Sequence, residues 1–83
     1  MKLNLQITYS DKTEKAIEAG TPDLVAFENK FDVSVAQLGR DTRISWLLFL
    51  AWHAEKRNGA TKDTYEKWLE TVENLGETEQ DPK

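Results

Sequence analysis

Three features of this chain predict an α+β domain, in which an N-terminal β-hairpin packs on a compact bundle of three main helices. The first twenty residues open on a strict apolar/polar alternation. The middle holds seven consecutive apolar residues, Trp46 to Trp52. The last third carries a single amphipathic stripe at helical spacing. The elements follow in that order along the 83 residues.

Leu3, Leu5, Ile7 and Tyr9 alternate with Lys2, Asn4, Gln6 and Thr8, the period-two pattern of a half-buried strand. Ser10-Asp11-Lys12 supplies turn chemistry, and Thr13 to Ala19 returns antiparallel with Ile17 as its only large apolar residue. Two strands alone are marginally stable, so this hairpin must pack on helices. Gly20-Thr21-Pro22-Asp23 then reads as a helix start: Thr21 suits the N-cap, Pro22 the first helical position, and Asp23 the positive end of the dipole. Leu24, Phe27 and Phe31 share one face of that helix. Ser34-Val35-Ala36-Gln37 has capping-box spacing, and Gly39 closes a one-turn element between the first and second main helices.

The second main helix begins at Asp41 or Thr42 and runs to about Arg57, stopping at Asn58-Gly59. Its apolar run is too short to cross a bilayer, which needs roughly 20 apolar residues. It is also too apolar for an ordinary surface helix. Either the small domain wraps it, or another molecule completes the cover. At 100° per residue, Ile44, Leu47, Leu48, Leu50, Ala51, Trp52 and Ala54 form a broad apolar arc. Ser45, Lys56 and Arg57 mark the other side, where Trp46, Phe49 and His53 also fall. Thr61 caps the third main helix, on which Tyr65, Trp68, Leu69, Val72 and Leu75 make a narrow stripe that Gly76 ends. Residues 1–76 thus read as one globular domain, and 77–83 as a disordered acidic tail with nothing to bury.

Composition narrows the functional classes. There are 15 acidic and 11 basic residues, a net charge of −4, and the basic residues form no stripe. Binding to nucleic acid or to a membrane surface is therefore not expected. No cysteine occurs and His53 is the only histidine, which removes thiolate metal sites and most arrangements for nucleophilic catalysis. None of the four glycines belongs to a phosphate-binding loop. Carboxylate pairs such as Glu66 and Glu70 lie on a polar helix face, where a raised pKa has no burial to cause it. We expect no enzymatic activity, no cofactor and no small-molecule substrate. The alternating start is unlike the apolar core of a signal peptide, so a cytoplasmic location is expected.

The face bearing Trp46, Phe49, His53 and Arg57 is the candidate protein-binding site, since aromatics beside a basic residue are a common anchor at interfaces. It has a competing structural reading, in which the hairpin and first helix bury these aromatics within the monomer.

From residue 27 onward the order of features resembles a known family. Phe27-Glu28 with Phe31 and Ser34 precedes Arg43, Leu50-Ala51-Trp52-His53-Ala54 and Lys56-Arg57-Asn58-Gly59. Trp68-Leu69-Glu70 and Val72-Glu73 follow. This resembles the small tail assembly chaperones of long-tailed, siphovirus-type bacteriophages, especially those infecting actinobacteria, over roughly residues 3–75. The resemblance implies a non-enzymatic protein of the host cytoplasm that coats the helical tape measure protein before the tail tube polymerises. It also implies possible self-association and a longer frameshifted form. The competing class is a small interaction or inhibitor module acting on one host protein.

Overall fold

The computed structural model describes residues 2–40 and 43–77. Strands β1 (Leu3–Tyr9) and β2 (Glu14–Ala19) lead into α1 (Thr21–Phe31), α2 (Val35–Arg40), α3 (Ile44–Arg57) and α4 (Tyr65–Leu69). Strand β3 (Val72–Glu77) closes the described chain. The three strands form one antiparallel sheet in the order β2-β1-β3. Helix α3 lies against β2 and β1, and α1 and α4 flank α3. Among the described residues the fold is therefore a three-stranded sheet with four helices, and α3 is the element that touches all its neighbours.

The hairpin forms as its alternation predicts. Leu5 pairs with Ile17 and Leu3 with Ala19; Leu5, Ile7, Ile17 and Ala19 are buried, while Glu14, Ala16 and Glu18 between them are exposed. The connecting loop closes through Tyr9 N–H to the Thr13 carbonyl and Lys12 N–H to the Tyr9 carbonyl, both 2.8 Å. Lys12 takes the left-handed conformation (φ 75°) that such a three-residue loop needs at its last position. Asp11 ties the turn by accepting from the Thr13 N–H and hydroxyl, and these bonds hold its carboxyl below the usual range.

Three expectations about helices need correction. The N-cap of α1 is Gly20 rather than Thr21, and Asp23 at N3 reaches back to accept from the Gly20 N–H at 2.8 Å. That is the acidic half of a capping box; glycine has no side chain to supply the other half. Helix α2 extends one residue past Gly39, to Arg40, and its first N–H, from Val35, is satisfied by the Glu28 carboxylate at 2.7 Å. Helix α3 starts at Ile44 after Arg43; the expected starts, Asp41 and Thr42, lie outside the described residues. Its end is as predicted. Gly59 (φ 80°) permits paired bonds from Ala60 N–H to the Glu55 carbonyl and from Gly59 N–H to the Lys56 carbonyl, a Schellman closure.

The largest departure is at the C-terminal end. The expected third main helix shrinks to five residues, capped by Thr64 rather than Thr61, with the Thr64 hydroxyl accepting from Lys67 N–H. Thr71 then turns its hydroxyl back onto the Trp68 carbonyl at 2.7 Å, and the chain enters β3. A spacing of three between Val72 and Leu75 normally puts strand residues on opposite faces. Here the register shifts: Val72 stands opposite Tyr9 and Asn74 opposite Thr8, so Glu73 is an extra bulged residue. The bulge sets Val72 and Leu75 against Tyr9 and Ile7, on the sheet face that meets the core. One spacing thus satisfies either a helical stripe or a bulged strand, and the unpaired edge of β1 favours the strand. Glu77, the first residue of the expected tail, pairs with Leu5; residues 78–83 of that tail lie outside the described residues.

Candidate functional site

The predicted site residues share one face of α3, and its two aromatics, Trp46 and Phe49, are turned inward. Trp46 is 7% exposed and Phe49 5%. Trp46 meets Phe27 edge-on at 5.4 Å between ring centroids and Phe31 at 6.2 Å, and Phe49 meets Phe31 at 5.5 Å. Helix α1 covers them, as the competing reading of this face anticipated. The buried arc of α3 runs from Phe49 through Trp46, Leu50 and Ala54 to Leu47, Ala51 and Glu55. Relative to the arc drawn from sequence, it is rotated by about 80° at 100° per residue. Ile44, expected in the core, is instead 63% exposed, and Leu48 and Trp52 are half-buried.

His53 and Arg57, one turn apart, keep part of their surface in solvent and close their polar ends on Asp23 of α1. The Asp23 carboxylate is 0% exposed. One oxygen accepts from His53 Nδ1 at 2.6 Å and Arg57 Nε at 3.1 Å; the other accepts from Arg57 Nη2 at 2.8 Å and the Gly20 N–H at 2.8 Å. Because a carboxylate only accepts, the Nδ1 nitrogen of His53 bears a hydrogen. Burial pushes the Asp23 carboxyl upward, but the bonds from Arg57, His53 and Gly20 outweigh it and hold the carboxyl below its ordinary value. The same contact raises Arg57 above its ordinary value. A buried charge is tolerable only when paired and fully hydrogen-bonded, and Asp23 meets both conditions.

This cluster aligns an imidazole by a carboxylate, a relation also found in catalytic bases. Among the described residues, no hydroxyl is bonded to His53, and no group of three or more His, Cys, Asp or Glu side chains could hold a metal. What the arrangement does physically is lock the first turn of α1 to the C-terminal half of α3. Sequence reasoning assigned Asp23 to the helix dipole and missed this role. The available signal was a cation pair at i and i+4 on one helix, able to meet the carboxylate in the first turn of another.

A second buried carboxylate was also missed. Glu55 sits inside the apolar arc of α3, between Ala51 and Leu48 by helical angle, where a charge must find partners. It accepts from the Tyr9 hydroxyl at 3.2 Å and from Lys15 Nζ at 3.2 and 3.0 Å. Burial, then the neighbouring Glu55 charge, pushes the Tyr9 phenol up to about 12 against a smaller opposing effect of Trp68.

The outward surface of α3 now differs from the one expected. Ile44, Leu48 and Trp52 form a row at i, i+4 and i+8, alongside Ser45 and Lys56. The Trp52 indole N–H donates to the Asp63 carbonyl at 2.9 Å, Tyr65 packs on its ring at 5.7 Å, and Lys56 Nζ lies 5.3 Å from its centroid. The Tyr65 hydroxyl reaches the Ser45 carbonyl at 3.1 Å, so α4 covers one flank of the row. Burial, aided by Glu66, raises the Tyr65 phenol. No helix among the described residues is long and apolar enough to cross a membrane. Comparison with protein-family models, with curated proteins and with solved structures gave no match.

Proposed function

We propose that this chain is a non-enzymatic tail assembly chaperone of a long-tailed bacteriophage, covering helices of the tape measure protein before the tail tube polymerises around them. The order of short motifs from Phe27 to Glu73 supplies the partner. The binding surface is the row Ile44, Leu48 and Trp52, and the observation that carries it is the 63% exposure of Ile44, where the other large apolar side chains among the described residues, Val25 excepted, are buried or half-buried. A row at i, i+4 and i+8 is the spacing with which one helix meets another. It moves the candidate surface from Trp46 and Phe49, which are committed to the core, to the adjacent outward arc.

The row suits an amphipathic partner helix. An apolar strip on the partner gains by covering Ile44 and Leu48, and full burial of one such side chain is worth about 1.5–3 kcal/mol. Co-expression with fragments that tile the tape measure protein of the same genome tests the reading. The expected result is co-purification of at least one fragment, lost on Ile44→Glu with the circular dichroism spectrum unchanged. Failure of every fragment to co-purify with the native chain would overturn it.

A further inference from the structure

The Glu55 carboxylate opens onto a cavity of about 280 Å³ that the chaperone reading does not use and that shares no residue with the Ile44–Leu48–Trp52 row. Tyr9 and Trp68 form aromatic walls, edge-on to one another with centroids 6.4 Å apart. Glu55, Asp63, Lys15, Thr61 and Thr71 supply polar lining. The volume is at or below the lower end for organic ligands, roughly 300–1,000 Å³, so the space suits one side-chain head rather than a metabolite.

Two of the lining hydroxyls have already given their protons. The Tyr9 hydroxyl donates to Glu55, and the Thr71 hydroxyl donates to the Trp68 carbonyl. The Asp63 carboxylate accepts no hydrogen bond and joins no ion pair among the described residues; only its backbone groups are engaged, with Trp52 and Thr61. Among the described residues Glu55 is neutralised by Lys15 alone, and the Lys15 side chain is 47% exposed against 8% for Glu55. An ion pair with one member half in solvent is held weakly by that member. A deep carboxylate, a second carboxylate without a partner, and two aromatic walls are the chemistry that takes up an organic cation.

We infer that the cavity between Tyr9, Trp68, Glu55 and Asp63 is a binding site for the guanidinium or ammonium head of an alkyl cation, with Lys15 as the internal group it displaces. Guanidinium suits such a lining better than ammonium, because its planar fork carries five donors for carboxylate oxygens. Such a head comes either from an arginine or lysine side chain of another polypeptide or from a free small amine.

The full chain, titrated with methylguanidinium and monitored by NMR, tests the inference, with uncharged N-methylurea as the shape control. Saturable shifts of the Tyr9 and Trp68 side-chain resonances are expected with the cation only. Asp63→Asn should weaken binding at least fivefold. Lys15→Met should tighten it by a similar factor, since the internal competitor is gone. Circular dichroism serves as the folding control for both. An N-acetyl-arginine amide that binds as tightly as agmatine identifies a polypeptide side chain as the ligand; agmatine binding tenfold tighter identifies a free amine. No saturable shift with methylguanidinium, equal response to N-methylurea, or unchanged affinity in Lys15→Met would overturn the inference.

Discussion

Asp23 and His53 meet at 2.6 Å across a separation of thirty residues, joining the first turn of α1 to the C-terminal half of α3. With Arg57 on the other oxygen, the contact makes α1 a fixed lid over Trp46 and Phe49. The consequence is asymmetric. Asp23→Asn removes the buried charge and leaves His53 and Arg57 able to turn to water, at a cost of about 1.5–3 kcal/mol. Arg57→Met instead leaves a fully buried carboxylate held by His53 and the Gly20 N–H, without its permanent cation, so it should lower the melting temperature further than Asp23→Asn does. Paired thermal melts check the order, and the reverse order would contradict the lock.

The lock should also appear in acid. The folded Asp23 carboxyl sits below its ordinary value, so near and below pH 4 the unfolded chain binds more protons and stability rises with pH there. Stability conferred by Asp23 is present above the ordinary carboxyl range and lost as pH falls through the folded value. Denaturant midpoints across the acid range should fall less steeply in Asp23→Asn than in the native chain. Asp11, also held low, accounts for part of the slope that remains.

At alkaline pH the sign reverses for Tyr9, whose phenol is raised from 10.0 to about 12. Below its ordinary value the hydroxyl keeps its proton in both states, and its stabilising contribution is intact. As pH rises from 10.0 through about 12, the unfolded chain releases that proton more readily and stability is lost. Tyr9→Phe should flatten the alkaline limb in a pH series of denaturant melts, with the raised Tyr65 accounting for some of the rest. Equal slopes in the two proteins would show that neither burial nor Glu55 holds the Tyr9 proton.

The orientation of α3 separates two substitutions that the sequence ranks wrongly. Phe49→Ala should cost about 3–5 kcal/mol, as for a buried aromatic. Ile44→Ser should stay within about 0.5 kcal/mol, as for an exposed site. A denaturant melt with the two effects interchanged would restore the arc drawn from the helical wheel.

Much of this architecture is legible in the sequence because local patterning fixes it. The alternation from Leu3 to Tyr9 specifies β1, and Asn58-Gly59 specifies the end of α3. The faces of α3 were not legible, because seven apolar residues in a row leave the wheel without a polar marker between Trp46 and Trp52. Only the tertiary partners, Phe27 and Phe31 on one side and the sheet on the other, choose the inward arc. Strand β3 was missed because the Val72–Leu75 spacing serves a helix equally well, and the bulge at Glu73 is set by pairing with β1. Asp23 and Glu55 were readable only as polar residues, since their partners lie far away in sequence.

If β3 pairs as described, a chain ending at Thr71 should melt several degrees below one ending at Glu77, at roughly 4–8 °C for each kcal/mol lost. Backbone carbon shifts over residues 72–77 should be those of extended chain. Helical shifts there would reinstate the longer last helix.

The outward row of α3, not its buried aromatic face, is the proposed contact with a helical partner. Binding of the best tape measure fragment to the native chain and to Ile44→Ala, measured by calorimetry at one salt concentration, tests it most directly. Ile44→Ala should weaken binding by more than about 1 kcal/mol while the melting temperature is preserved. Native affinity in Ile44→Ala, and in Leu48→Ala beside it, would contradict the claim.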